Sequence, residues 1–272
     1  MSNVPTPRPR VSARAAAVAD AELCERAIYA AKPIDTWPAE ALRRLAAVSR
    51  VRRYRRGARL VSGGEPLQAA LLIASGDVEA SFSSADGRQF TYMLGARGMI
   101  FGLLPLLDGQ GVPHDLNALD AVTVVAIPFS AIRAELAARP ALWESLALDM
   151  ALRFRSLFNI VQGHVLDPAP VRLANVLVRL AQTEGQAAPE GVAIRVRLSQ
   201  ARLGELVGVT RQTAMQLVHD LEARGLLIWR YGRAVVRDLP GLQALGSNPP
   251  VALRAPPARH APVRAHAKRL GA

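Results

Sequence analysis

Arg211, Gln212 and Gln216 are the residues of this 272-residue chain whose types and spacing promise the most specific chemistry. An arginine guanidinium grips guanine through two parallel hydrogen bonds, and a glutamine carboxamide can do the same with adenine. Gln216 follows Gln212 by one helical turn, so both project from one side of a helix. Thr210 and Thr213 add hydroxyls suited to phosphate oxygens, as is the helix N-terminus itself. No acid stands in the first turn, where one would normally complement the positive end of the helix. The chemistry implied is recognition of base edges and backbone on duplex DNA.

Those side chains need two crossed helices to present them. Ser199 is placed to cap a short helix with Leu203, Leu206 and Val207 on its inner face. Gly208 ends it, because the sharp turn there calls for positive φ. Thr210 caps a second helix whose apolar positions Ala214, Leu217, Val218 and Leu221 recur at helical spacing. Small Gly204 and Ala214 let the pair cross closely. Leu226–Arg230 and Ala234–Arg237 follow as two strands around Tyr231-Gly232-Arg233, a wing on which Arg233 is a further backbone contact. The plainer alternative is an amphipathic helix pair with a solvated Arg/Gln face.

Thr210-Arg-Gln-Thr213, Leu217-Val-His-Asp-Leu-Glu222 and Gly225-Leu-Leu-Ile228 resemble the winged helix-turn-helix of the cyclic-AMP receptor protein and fumarate–nitrate reductase regulator (CRP/FNR) family. Upstream, Gly57-Ala-Arg-Leu-Val-Ser-Gly-Gly-Glu65, Leu71-Leu-Ile-Ala-Ser-Gly-Asp-Val78, Phe101-Gly102 and Leu106-Leu-Asp-Gly109 fall in the order of that family's sensor β-roll. The C-terminal motif is specific, the β-roll signals individually weak. The resemblance spans Trp37 to Leu245. It implies a DNA-binding transcription regulator of bacteria, acting on double-stranded DNA as a homodimer, with RNA polymerase as a further partner.

The rest of the chain accommodates that plan. From Val51 to Pro128, glycines separate short apolar runs, with strands expected at Ala69–Ala74, Val78–Phe82, Phe90–Leu94 and Val122–Ile127 and a hairpin at Ser83-Ser-Ala-Asp-Gly87. Such spacing predicts a jelly-roll-like β-roll. A long helix is expected from Ala141 to Val165, in which Leu146, Met150, Phe154, Leu157 and Val161 form a dimerisation seam spaced 4, 4, 3 and 4. A helix buried within its own chain is the alternative. Gln162–Pro170, with Gly163, Pro168 and Pro170, is the expected hinge, and Val171–Thr183 a packing helix. The fold class is thus α+β: an N-terminal extension, partly disordered (1–35), a β-roll sensor (36–139), a dimerisation helix (140–166), a winged helix-turn-helix (167–245) and a basic disordered tail (246–272).

Formal net charge is +12, favouring an acidic polymer as partner. Arg8, Arg10 and Arg14 precede the first acid, Asp20, and Arg254, Arg259, Arg264, Lys268 and Arg269 follow Gly246 with no acid among them. Only Lys32 and Lys268 are lysines, a bias that fits a GC-rich bacterial genome. Cys24 is the only cysteine, which excludes an intrachain disulfide and a four-cysteine iron–sulfur cluster. No apolar run approaches the roughly 20 residues of a membrane span, and no signal-type apolar core follows the basic N-terminus. No membrane partner and a cytoplasmic location are the expectation.

The sensor's ligand is less legible. In cyclic-nucleotide-binding members of the family, Phe-Gly-Glu opens the phosphate turn and an Arg-Ser or Arg-Thr pair ends it. Here the first motif reads Phe101-Gly102-Leu103, and no arginine lies between Arg97 and Arg133. Asp115 would repel an anionic phosphate, which argues against cyclic AMP. Gly102, Leu103, Leu104 and His114 mark the candidate pocket turn for an unknown, apolar effector; filled core is the other reading of those leucines. His114 is a candidate haem or metal ligand, as some family members bind haem, but it lacks a second ligand at metal-type spacing. His164 and His219 are expected to face solvent or phosphate. No nucleophile elbow, phosphate loop or metalloprotease motif occurs, so an enzyme is not expected. Alternatives to an effector-controlled regulator are an effector-independent DNA-binding regulator and a sensor whose winged domain docks a protein.

Overall fold

β3 (Ala69–Ser75) shows how the first half of the chain is built. Leu71 and Ile73 point to one face and Ala70, Leu72 and Ala74 to the other, and both faces are buried. This strand lies in a sheet with covered faces, which is why it reads as a continuous apolar run. The computed structural model describes residues 13–84 and 89–246. α1 (Ala13–Tyr29) and α2 (Ala39–Val48) precede β1 (Arg50–Tyr54) and β2 (Arg59–Val61). After β3 come β4 (Val78–Ser83), β5 (Gln89–Gly95), β6 (Ile100–Phe101), α3 (Leu103–Asp108), β7 (Asp115–Ala118), β8 (Val122–Pro128) and α4 (Phe129–Ala138).

The strands form two antiparallel four-stranded sheets, β1-β8-β3-β6 and β2-β7-β4-β5. Val61, Val78, Ala80 and Leu116 of the second interleave with Leu71, Ile73 and Val124 of the first. The outer face of the first sheet packs under helices, where Cys24 and Ile28 of α1, Leu42 and Leu45 of α2 and Ile132 and Leu136 of α4 surround Leu72, Val125 and Ile127. Through Leu23, Cys24, Ala27, Ile28, Ala31 and Ile34 the N-terminal extension is therefore part of this core. Buried Glu135 on α4 is satisfied by Arg44 of α2, Nε and Nη2 donating at 2.6 and 2.9 Å. The expected strands are all present. The structure adds β1, β2, β6, β7 and α3, whose signals were masked by arginines or by short length. Residues 85–87 of the expected hairpin turn, most of the basic N-terminal segment and the tail from 247 lie outside the described residues. Ser83 pairs with Gln89 across the hairpin.

α5 (Trp143–Leu166) corrects the expected seam. Leu146 is fully buried in its own β-roll core, and Met150 packs against the same cluster. Trp37 anchors this end, its indole N–H donating to Ser145 Oγ at 2.8 Å. Beyond Met150 the helix leaves the β-roll, and Phe154, Leu157 and Val161 are exposed. The stripe loses its cover there because the domain beneath it ends. The expected hinge also narrows. Gly163 is helical, Asp167 caps the helix through its N–H to Gly163 O at 3.0 Å, and α6 (Ala169–Glu184) begins after Pro168. Prolines 168 and 170 sit where a helix start has no N–H to lose.

The C-terminal half continues with β9 (Gly185–Ala188), β10 (Gly191–Ile194), α7 (Gln200–Val207), α8 (Arg211–Ala223), β11 (Leu227–Arg230), β12 (Arg233–Val236) and α9 (Leu239–Leu245). The wing is one edge of a four-stranded sheet, β11-β12-β10-β9, not an isolated hairpin. A two-stranded ribbon is marginal alone, and β9–β10 supply the missing neighbours. Leu173, Leu177 and Leu180 of α6 close the core against Leu203, Leu206, Val218, Leu221 and Val236.

Candidate nucleic-acid interface and sensor turn

Local chemistry sets each end of the two crossed helices. Ser199 caps α7 by accepting from Arg202 N–H at 3.1 Å. Gly208 takes φ +70°, and a Cβ on Gly204 would lie 2.8 Å from Val209 O, so both glycines are required by the turn. Thr210 caps α8, accepting from Thr213 N–H at 3.2 Å, and the two hydroxyls lie 2.9 Å apart. Ala214, Val218 and Leu221 are buried beneath them. Arg172 on α6 fastens the turn from below, Nε donating to Val207 O at 2.7 Å and Nη1 to Asp167 O at 2.8 Å.

On the outer side Thr210, Arg211, Gln212, Thr213 and Gln216 are all exposed. An open groove runs along this end of α8, lined by Gln200, Arg211, Gln212, Met215 and His219. Gln216 stands just beyond that lining, on the same exposed side. Gln200, Met215 and His219 were not singled out from the sequence as base contacts. Gln200 matters most, because its Oε1 accepts from Arg211 Nε at 2.7 Å. That bond leaves both terminal amino groups of the guanidinium available for a base. His219 Nδ1 lies 3.3 Å from Glu222 Oε2 on the exposed surface. Glu222 also accepts from Trp229 N–H at 2.8 Å, tying α8 to the wing strand β11.

Arg233 is exposed and pairs in register with Arg230 across the wing. Between them Tyr231 is 96% exposed and holds φ +52°, a conformation that disfavours residues other than glycine. Gly232 O accepts from Leu198 N–H at 2.9 Å, which brings the wing turn beside the start of α7. Gln200, the first turn of α8 and the wing tip thus belong to one connected surface.

The sensor turn is arranged differently from the expectation. Gly102 takes φ +84° at the start of α3. Leu103 is buried in the core beneath the helices, whereas Leu104 is 48% exposed. His114 stands elsewhere, with Nδ1 3.0 Å from Tyr92 OH and its ring edge-on to Tyr92 and Phe101. Leu103 thus faces the core under the helices, while His114 lies against Phe101 of the core between the two sheets. Burial holds the His114 imidazole down at about 4 and pushes the Tyr92 phenol up to about 12. His114 Nε2 is buried without a hydrogen-bond partner. Asp115 accepts from Gly63 N–H at 2.8 Å and from Ser83 Oγ at 3.1 Å, and the Gly63 bond in particular keeps its carboxyl below the usual range. An anionic phosphate at this turn would meet a carboxylate already ionised and a histidine held neutral, so the residues do not fit a cyclic nucleotide. Among the described residues no group of three or more His, Cys, Asp or Glu side chains is placed to hold a metal ion. No helix among them is long and apolar enough to cross a membrane.

His164 also departs from the expectation. Its ring is edge-on to Phe90 of β5, with centroids 4.7 Å apart, and abuts Gly208, instead of facing solvent.

Comparison with known proteins places these features in context. The family model of the Crp-like helix-turn-helix domain matches residues 171–245, and that of the cyclic nucleotide-binding domain matches residues 51–139. A CRP-like cAMP-activated global transcriptional regulator of Mycobacterium tuberculosis is 30% identical over 174 residues, 63% of this chain and 77% of that protein. A global nitrogen regulator of Synechococcus elongatus is 25% identical over 179 residues, 65% of this chain and 81% of that protein. Among solved structures, FixK2 from Bradyrhizobium japonicum shares the fold with a TM-score of 0.67 at 19% identity, covering 74% of this chain and 99% of that one.

Proposed function

The chain belongs to the CRP/FNR family of DNA-binding transcription regulators, and from that premise we propose that it acts as a homodimer reading a pseudo-palindromic site. It is a regulator and not an enzyme. In this reading Arg211, Gln212 and Gln216 contact base edges, Thr210 and Thr213 hold phosphates, and Arg233 adds a backbone contact from the wing. The observation that carries it is the joint exposure of Arg211, Gln212 and Gln216 at one end of a single capped helix. A recognition helix enters the major groove with that end nearest the bases.

The dimer rests on α5. Phe154 is 60% and Phe158 57% exposed, and Leu157, Val161 and Val165 continue the same stripe. A contiguous apolar patch of this kind marks an interface. RNA polymerase is the further partner through which bound regulator acts on transcription, and the cytoplasm is where both would meet DNA. For the sensor, Leu103 and Asp115 support a domain that does not take cyclic AMP. His114 is not assigned to haem. The same two residues favour effector-independent DNA binding as a second reading. The test is binding of ligand-free protein to duplexes enriched from a random pool. Arg211→Ala should weaken the enriched site by roughly 1–3 kcal/mol and relax preference at one base pair. Equal loss on enriched and random DNA would remove Arg211 from base reading.

A further inference from the structure

A polar seam joins the β-roll to the helix-turn-helix of the same chain. Glu79 on β4 is 6% exposed, between apolar Val78 and Ala80. Its Oε2 accepts from Arg202 Nε at 2.6 Å, and Arg202 lies 123 residues later, on α7. On the neighbouring strand, fully buried Thr91 donates to Glu205 Oε2 at 3.4 Å, one turn further along α7. Leu94 at the end of β5 belongs to the same apolar core as Leu203, Leu206 and Val207. At the far end of α7, a Cβ on Gly208 would lie 3.1 Å from the His164 ring. The first helix of the DNA-reading pair is therefore held by the sensor strands near its start and by the end of α5 at its turn.

An ion pair taken out of water gains little net stability over an apolar pair of similar size, because both charges lose hydration. What it does supply is direction, since a carboxylate and a guanidinium nitrogen at 2.6 Å tolerate little sliding. Gly204 O in turn accepts from Val209 N–H at 2.9 Å in the turn, and Leu203, Leu206 and Val207 of α7 share one core with Ala214, Val218 and Leu221 of α8, so a shift of α7 is carried to α8. We infer that Glu79 and Arg202 are positioning residues: through their buried pair the β4–β5 strands set the direction of the recognition helix relative to that of the partner protomer. This rests on the dimeric DNA-reading function proposed above. It adds a second route from sensor to reader, separate from the long helix.

The inference has a signature that a purely structural role lacks. Two recognition helices must meet half-sites a helical turn apart, so their relative direction matters on a full site and not on a single half-site. Glu79→Gln, Arg202→Gln and the double variant would be measured on a two-half-site duplex enriched by the wild-type protein and on the same duplex cut to one half-site. Each single variant should lose about tenfold or more on the full site, while the half-site stays within about twofold. The double variant should lose no more than the worse single one, since the pair is broken once. Sedimentation and thermal melting of each variant keep dimer loss and unfolding apart from this effect. Arg202→Gln, on the more exposed partner, serves if Glu79→Gln unfolds. Equal losses on both duplexes, or none on either, would overturn the inference alone. Failure of the wild-type protein to enrich any duplex would defeat the DNA-reading function, and the inference with it.

Discussion

Arg211 is a long, flexible cation, and what makes it useful at a base is the bond that holds it. Gln200 Oε1 accepts its Nε–H at 2.7 Å from the start of the preceding helix. The guanidinium is then presented with its two amino groups outward, and less rotamer freedom is lost on binding. Gln200→Ala should broaden preference at the base pair that Arg211 reads, with a loss of about 1 kcal/mol. Gln200→Glu keeps an acceptor for Nε and should keep the preference, while its charge lowers affinity on every sequence. Competition binding against single-base variants of the enriched site reads both effects. Preference unchanged by Gln200→Ala would remove Gln200 from recognition. The second residue-scale consequence concerns His114, which burial holds at about 4 in the folded chain against 6.5 when unfolded. The folded state keeps it neutral, so the unfolded chain binds the extra proton as pH falls below 6.5. Stability from this group is complete above pH 6.5 and lost progressively toward pH 4, by up to about 3 kcal/mol. His114→Gln should flatten the urea midpoint across that window; a profile as steep as that of the wild type would refute the assignment.

α5 is the element whose two ends do different work. Its first turns belong to the β-roll through Leu146 and Met150, and its later turns leave Phe154, Leu157, Phe158 and Val161 exposed, the stripe proposed above as the dimer face. Phe154 and Phe158 meet edge-on with centroids 4.5 Å apart, so they form one exposed aromatic knob. Replacing both with glutamate should leave folding intact, because neither supports the protomer's core. It should convert the dimer to monomer in sedimentation velocity and weaken a full operator by about tenfold or more, with little change on a half-site. A dimer unchanged by this double substitution would place the interface elsewhere. At this scale sequence patterning was most informative where partners are local. Ser199, Gly208 and Thr210 cap and turn within a few residues of themselves, and their roles were readable directly. β1 was not, because Arg50, Arg52 and Arg53 disguise an edge strand that, among the described residues, pairs with β8 alone. The stripe on α5 was readable as apolar, but not that Leu146 and Met150 of that stripe would pack into their own β-roll.

At the scale of the whole molecule, sensor and reader meet through the Glu79–Arg202 pair, the Thr91–Glu205 hydrogen bond, the Leu94 side chain inside the reader's core, and His164 wedged between Phe90 and Gly208. None of these was legible in advance. An acid within a strand reads as a solvent-facing position until a cation from a distant helix is seen to cover it. Gln200 likewise reads as an ordinary first-turn residue until α8 crosses it. By itself the sequence determined the family, the two-part plan, the capped helix pair and the outward set of Arg211, Gln212 and Gln216. The family came from the resemblance of its motifs; the rest follow from periodicity, turn spacing and capping over short stretches of chain. Only the tertiary structure decided that Leu146 turns inward, that Leu103 and His114 part company, and that Glu79 reaches α7. Burial and ion pairing are properties of what packs alongside, and here the packing partners lie far apart along the chain.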